Sequence, residues 1–371
     1  MATRIARNLS YIGETIRGGN ILLVMMRAST ARRNDSAVSE VIGVVMLLAM
    51  VVTMMGGVFL VLTPYVNDFQ DNTAWNNANG IAERLDSRID VVATASNNTG
   101  IKTTINALTS SITPVINAEI WTMSADLTPT EQVDVNYVNQ TMFSILAINE
   151  SAVKATIWTP ETLQTIEFNS SHESIMIEHN VTLKGTYIIS VFNSDGIAIH
   201  RHAQASLSGL LVKTKVQTGE HAIAIVNDAR FDRFSNEPWE VTTSPDMKIE
   251  ELFDGTMRTS LSLRDIAVTG AVPNGRNAIF DIRSQGPVQL FSGDAWNFRF
   301  TYQSELGPTI TPQMSEGWLI DYQLHKVSDT LDQHRGIRPW LRASGFDGMT
   351  IDHDGKIIDL EIDLQLVEVS K

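Results

Sequence analysis

No cysteine occurs among the 371 residues of this chain. Disulfide ties and thiolate nucleophiles are thereby excluded, and an exported domain must hold together by its core alone. Catalytic signatures are missing too: there is no G-x-S-x-G elbow, no Gly/Lys phosphate loop and no H-E-x-x-H pair. Basic residues are scarce, with 28 Lys and Arg against 42 Asp and Glu and a net charge of -14. So acidic a chain offers nucleic-acid phosphates no basic face, and no nucleic-acid partner is expected. Long apolar runs are absent as well, with one exception. "ILLVMM" (21–26) stops at six residues, and "YIISVF" (187–192) reads as a buried strand.

The exception lies in "RRNDSAVSEVIGVVMLLAMVVTMMGGVFLVLTP" (32–64). After Glu40 no charge appears until Asp68, and between Val41 and Leu62 only Thr53 interrupts the apolar character. At ~1.5 Å per residue that stretch is about 33 Å long as a helix, enough to cross a hydrocarbon core of about 30 Å. Residues 1–36 hold six arginines against Glu14 and Asp35, which leaves a net of -18 on the remainder. A basic flank before the span and an acidic one after it put the N-terminus in the cytoplasm and the large body outside. The run is longer than a secretory apolar region of ~7–15 residues and starts too late for one. Two readings follow: an uncleaved signal anchor, or a leader cut just before a span that stays on the mature protein.

"AVSEVIGVVMLLAMVV" (37–52), and "VSEVIG" (38–43) above all, resembles the amino-terminal segment of archaeal type IV pilins, which share their class III leader type with archaellins. The resemblance implies a basic leader (1–37) removed by a membrane-embedded prepilin peptidase in the region Ser36, Ala37, Val38. It implies an apolar helix (38–63) that holds the subunit in the membrane and then packs with other pilins in a filament, with Glu40 and Gly43 as assembly positions. The partners it implies are an assembly ATPase and a polytopic platform protein, and the role adhesion or surface attachment.

Glu40 can also be read from physics. A carboxylate near hydrocarbon wants a partner. A cut close by would create an α-amino group within a few residues, and a neighbouring helix could bring that charge to Glu40. Alternatively, Glu40 sits at headgroup depth and favours the helix N-terminal dipole by ~0.3–1 kcal/mol, with Ser39 as cap. Ala49, Thr53 and Gly57 step by four, a small-residue stripe of the kind that lets helix backbones approach. Gly56, Gly57 and Pro64 mark the outer end as a place to bend.

Beyond Pro64, Ala78, Ala82, Leu85, Ile89 and Val92 step by 4, 3, 4 and 3 between charged residues, which predicts an amphipathic helical stalk (64–96) ended by "ASNNTG" (95–100). The rest reads as short antiparallel strands separated by turns such as "NSDG" (193–196), "PNG" (273–275) and "DHDG" (352–355). The expected fold is thus a transmembrane helix and stalk followed by an all-β sandwich body (97–232). Residues 245–371 form a second β module or a continuation of the same sandwich, with the polar stretch 227–246 as the candidate divide.

Sequons occur at Asn97, Asn139, Asn149, Asn169 and Asn180, all on the predicted outside and available for N-glycosylation. "HRH" (200–202) puts two imidazoles on one strand face, and His221 could join them at a metal, although solvated strand-end histidines are commoner. "DHDG" with Asp347 and Asp359 has carboxylates but not the spacing of an EF-hand, and reads as a hairpin turn. No cofactor, metal or catalytic residue is assigned. The alternatives to a filament subunit are an uncleaved, single-pass surface binding protein and an ectoenzyme.

Overall fold

The computed structural model describes residues 22–371 except 108, 130–132, 140–141, 148–151, 169–173, 179–184, 246, 255, 315–340, 344–347 and 352–356. For 22–38, and for strand residues 137–139, 142–143, 147, 174–178, 249–251, 341–343 and 348–351, the backbone alone is described. "WLIDYQL" (318–324), "DHDG" and Asp347 lie outside the described residues.

One helix, α1 (Leu22–Ala93), takes in the described part of the expected leader, the span and the stalk as far as Ala93 without a break. Nothing between Leu22 and Ile42 stops it, since that stretch contains neither glycine nor proline and is rich in Ala, Arg, Leu and Met. Pro64 lies inside the helix. Lacking an N–H, it leaves the Leu60 carbonyl without its usual donor. The chain divides into two compact units at Phe69/Gln70, not at Pro64.

The second unit, Gln70–Lys371, begins with the last part of α1 and continues with eighteen described strands. First come β1 (Gly100–Ala107), β2 (Ser110–Asp126), β3 (Val133–Asn139), β4 (Met142–Ala147), β5 (Lys154–Trp158), β6 (Leu163–Glu167) and β7 (Ser174–Glu178). β8 (Tyr187–Phe192), β9 (Ala198–Val216), β10 (Gly219–Val226), β11 (Ala229–Arg233) and β12 (Glu240–Thr243) follow. The last are β13 (Met247–Glu251), β14 (Met257–Val268), β15 (Gly275–Ser304), β16 (Leu341–Ala343), β17 (Gly348–Ile351) and β18 (Ile358–Ser370).

A large sheet runs β12-β11-β10-β9-β2-β15-β18-β14-β13, with β8, β5 and β6 extending from β9, and β3-β4-β7 form a small separate sheet. The polar stretch 227–246 joins rather than divides. Asn227, at φ 59°, begins a two-residue hairpin turn that carries β10 into β11. The 245–371 strands therefore continue the body of β2 and β9.

One pairing departs from the expected antiparallel pattern: β18 is parallel to β14. β14 and β15 follow one another across a short connection and run in opposite directions, and β18 lies between them. A strand so inserted must be parallel to one neighbour and antiparallel to the other.

Alternation along these strands feeds both sheet faces. On one face, Trp121, Ala203, Phe231, Leu261, Phe300 and Leu364 share a core drawn from both ends of the strand path, so the sheet curls around it. The other face takes the stalk: Ala78, Ala82, Leu85, Ile89 and Val92 are buried against Ile112, Val212, Ile225, Phe280 and Val369. Elsewhere Val133, Val135 and Ile145 pack with Ala155, Ile157, Tyr187, Ile189 and Val191. The predicted stripe is thus the face the helix buries.

Candidate functional site

The first unit offers one surface. From Val41 to Leu62 the large apolar side chains of α1 are all exposed, and the helix is long and apolar enough to cross a membrane. Glu40 stands exposed at the near end of this rod. A Cβ built on Gly43, Gly56 or Gly57 meets nothing within 4 Å, so the surface is open at each. Thr53 Oγ1 donates to the Ala49 carbonyl at 2.7 Å, and Thr63 Oγ1 donates to the Phe59 carbonyl at 2.6 Å. Both hydroxyls are satisfied inside the helix, which makes them tolerable in hydrocarbon. The Ala49, Thr53, Gly57 stripe accordingly presents no unmet donor.

Sequence reasoning missed a feature at the far end. Tyr65 and Phe69 are exposed and one helical turn apart, just past the apolar run and beside exposed Asp68. Aromatic residues so placed match the belt that marks a membrane–water boundary. The signal was present as an i, i+4 aromatic pair ahead of the stalk. At the other end, Ser36, Ala37 and Val38 lie within the helical backbone.

Among the sequons, Asn97 is exposed in the turn between α1 and β1. That turn is pinned by the Asn98 N–H donating to the Ser284 carbonyl at 2.8 Å and the Ser284 N–H donating to Thr99 at 2.8 Å. Asn139 is on β3, described by its backbone alone, and Asn149, Asn169 and Asn180 lie outside the described residues.

His200 and His202 share a face of β9, as the strand period requires, but they are buried rather than solvated. The Asp126 carboxylate takes His200 Nδ1 at 2.9 Å and the Asn297 amide at 2.8 Å. His202 stacks beside Tyr187, whose hydroxyl lies 3.4 Å from Nε2. Burial, together with the neighbouring His200, pushes the His202 imidazole down to about 3, so it is neutral at ordinary pH. His221 does not join them. It sits opposite Thr214, a dozen residues further along β9, edge-on to Trp75 and Phe234.

Sequence reasoning also missed Glu119, a buried carboxyl on β2. It accepts from Trp121 Nε1 at 3.1 Å and from the Tyr302 hydroxyl at 3.0 Å. Burial pushes the Glu119 carboxyl up to about 7, against the pull of donors on Trp121, Tyr302 and Asn227. The Asn227 amide nitrogen is itself buried outside hydrogen-bonding geometry. Tyr302 is held well above its ordinary value by burial and by the Glu119 charge. No local signal could have found this group, because Glu119 and Tyr302 are 183 residues apart. The cluster pins β2 to β15 in the sheet interior.

A protein family described as "Family of unknown function (DUF7289)" matches residues 36–137. The match opens at Ser36 and takes in the apolar rod, the stalk, β1, β2 and part of β3. No curated protein and no solved structure matches the chain.

Proposed function

We propose that this chain is a type IV pilin-like subunit of an archaeal surface filament. The observation that carries the reading is the rod itself: a helix apolar on every side from Val41 to Leu62, with one carboxylate at its mouth, continuous with the stalk of a β-rich body. A span built only to anchor needs apolar length. This one adds an open small-residue stripe with its hydroxyl satisfied internally, and Glu40 where a neighbour's new α-amino group would arrive. The family match, beginning at Ser36 next to the expected cut, fits a shared segment that starts where the leader ends.

In this reading the arginine-rich segment stays in the cytoplasm until a prepilin peptidase removes it. The span waits in the membrane, and an assembly ATPase with its platform protein transfers it from lipid to a bundle of like spans. The acidic body, glycosylated at sequons such as Asn97, faces outward and serves adhesion or surface attachment. Terminal peptide mass spectrometry on sheared surface filaments tests this directly. A mature start between Ser36 and Val38 in filament material is the expected result; an intact Met1 or Ala2 start, with nothing in the sheared fraction, overturns it.

A second reading has one observation in its favour. The helical backbone runs unbroken across Ser36, Ala37 and Val38, so a peptidase would have to open a helix to cut there. That geometry suits an uncleaved, membrane-anchored surface binding protein, and the same peptide measurement separates the two.

A further inference from the structure

The stalk of α1 has a second, partly exposed ridge beside its buried stripe. Asn77, Gly80, Arg84, Arg88 and Val91 step by 3, 4, 4 and 3, the spacing of one helix face. Val91 is 57% exposed on this ridge, although it belongs to a helix that buries Ile89 and Val92 completely or nearly so. Acidic residues of the same helix turn elsewhere. Asp90 accepts from Arg264, Glu83 accepts from the Asn79 amide, and burial together with the Asp90 charge raises the Asp86 carboxyl. Arg84 and Arg88 are left exposed, one turn apart, with no hydrogen bond or ion pair among the described residues.

Beside Arg84 lies a notch of about 150 Å³ between Asn76, Asn77, Gly80 and Arg84 of the helix and Ile105 and Asn106 of β1. A Cβ built on Gly80 would meet nothing within 4 Å, so the glycine leaves this gap open. Its lining combines Ile81 and Ile105 with the amides of Asn76, Asn77 and Asn106 and the Arg84 guanidinium. Such donors suit an acceptor, and best a carboxylate.

The chain carries a matching surface. On β18, Glu361 and Asp363 point to the face opposite Leu360, Ile362 and Leu364, flanked by Ser260 and Ser262 of β14 and by Ser292 and Gln289 of β15. Asp359, on the same face, is held by Arg258 at 2.8 Å. Glu361 and Asp363 have no such cation among the described residues, and each is the other's near charge, Asp363 being raised by burial and by Glu361. Two residues along a strand cover about 6.7 Å. Four residues along a helix cover about 6 Å, so the spacings match.

We propose that Arg84 and Arg88 dock on Glu361 and Asp363 of a second copy of this chain. The two patches are different parts of one surface, so the contact is head-to-tail and leaves each copy with a free patch at either end. Contacts of that kind build open chains rather than closed dimers. The occupant is argued from charge: an unpaired cation pair on a chain that is otherwise strongly acidic finds its complement on its own kind. The inference rests on the filament reading and adds to it a contact between bodies, outside the apolar bundle.

Charge reversal and swap tests it in the full-length chain. Arg84→Glu with Arg88→Glu, and separately Glu361→Arg with Asp363→Arg, are each expected to cut incorporation into sheared filaments about tenfold. The fourfold variant, with both sides reversed, is expected to recover most of it. All four positions are at least partly exposed, and unchanged protease digestion of the extracted chains shows that the variants fold. Undiminished incorporation of either double variant, or no recovery in the fourfold one, overturns the docking. Absence of the wild-type chain from filaments overturns the filament reading instead. The contact is then read from sedimentation of detergent-extracted full chain at low and high salt. Salt-sensitive association lost in the reversed variants sustains it, and its absence removes it.

Discussion

Arg264 of β14 donates from Nη2 to the Asp90 carboxylate of α1 at 2.6 Å, tying the stalk helix to the sheet. The partners are unequal. The Arg264 side chain is 6% exposed and the Asp90 side chain 59%. Asp228 adds a second carboxylate at 3.4 Å from Nη1, while Nε and Nη1 are buried without a hydrogen bond. Removing Arg264 would free two carboxylates that water can reach, whereas removing Asp90 would leave a buried cation with Asp228 alone to pair it.

The expected order of damage is therefore the reverse of what exposure suggests. Asp90→Ala should lower stability by about 1–2 kcal/mol, below the usual cost of a broken buried pair because Asp228 remains. Arg264→Met should cost less, within about 1 kcal/mol, since the carboxylates left behind are solvated. Thermal melts of the two single variants and the double variant check this. The double variant should melt above Asp90→Ala alone.

Two buried groups give the body opposite pH limbs. Glu119 has its folded value raised from 4.5 to about 7, so the fold prefers it protonated. Its contribution is fully present below pH 4.5 and is lost as pH rises through 7. His202 has its folded value lowered from 6.5 to about 3, so the fold prefers it neutral. That contribution is present above pH 6.5 and is lost as pH falls toward 3. Glu119→Gln keeps the size of the neutral carboxyl and one acceptor oxygen for the Trp121 and Tyr302 donors, and should flatten the melting midpoint between pH 5 and about 7.5. His202→Gln should flatten the acid side. Midpoints recorded from pH 3 to 8 separate the limbs; parallel curves for wild type and both variants would show that neither group governs them.

Much of this molecule is legible locally. The stalk residues that step by three and four are the ones buried under the sheet, because a helix is written in neighbouring residues. The alternation of Ile358, Leu360, Ile362 and Leu364 likewise places them in the core. What is not local is not legible. Insertion of β18 between β14 and β15 depends on a register set by contacts about a hundred residues apart. The Glu119–Trp121–Tyr302 and Asp126–His200–Asn297 groups exist only after β2, β9 and β15 come together. His200 and His202 look like solvated strand-end residues until the neighbouring strands bring Asp126 and Tyr187 against them. The 227–246 stretch looks like a linker because its turn residues are polar, and the same residues make a tight hairpin. Residues 36–137, the part shared with a family, cannot complete a sheet alone: β1 and β2 pair with β15 and β9, all downstream.

The central position of β18 makes the body depend on its last strand. β18 pairs with β14 along its length on one side and with β15 on the other. Its Ile362 and Leu364 are fully buried. Ending the chain before Ile358 should leave two open sheet edges and an exposed core, and produce no protease-resistant body. Leu364→Ala should fold but lose about 2–4 kcal/mol. Limited proteolysis of the truncated chain and denaturant melts of the point variant are the measurements.

Glu40→Gln isolates the charge at the mouth of the rod. Gln is nearly the same size and keeps its hydrogen-bonding capacity, so span length, helix propensity and the body are unchanged. If Glu40 serves only the dipole of its own helix, the loss is at most about 1 kcal/mol and filament yield should hardly move. If it pairs with a neighbour's α-amino group in a low-dielectric bundle, Gln leaves that amine buried without a counter-charge, which is a far larger penalty. The expected outcome is normal membrane retention and normal processing, with the variant at least tenfold depleted from sheared filaments. Membrane and filament fractions probed side by side give the ratio. Equal ratios for wild type and Glu40→Gln would assign the carboxylate to the helix terminus alone.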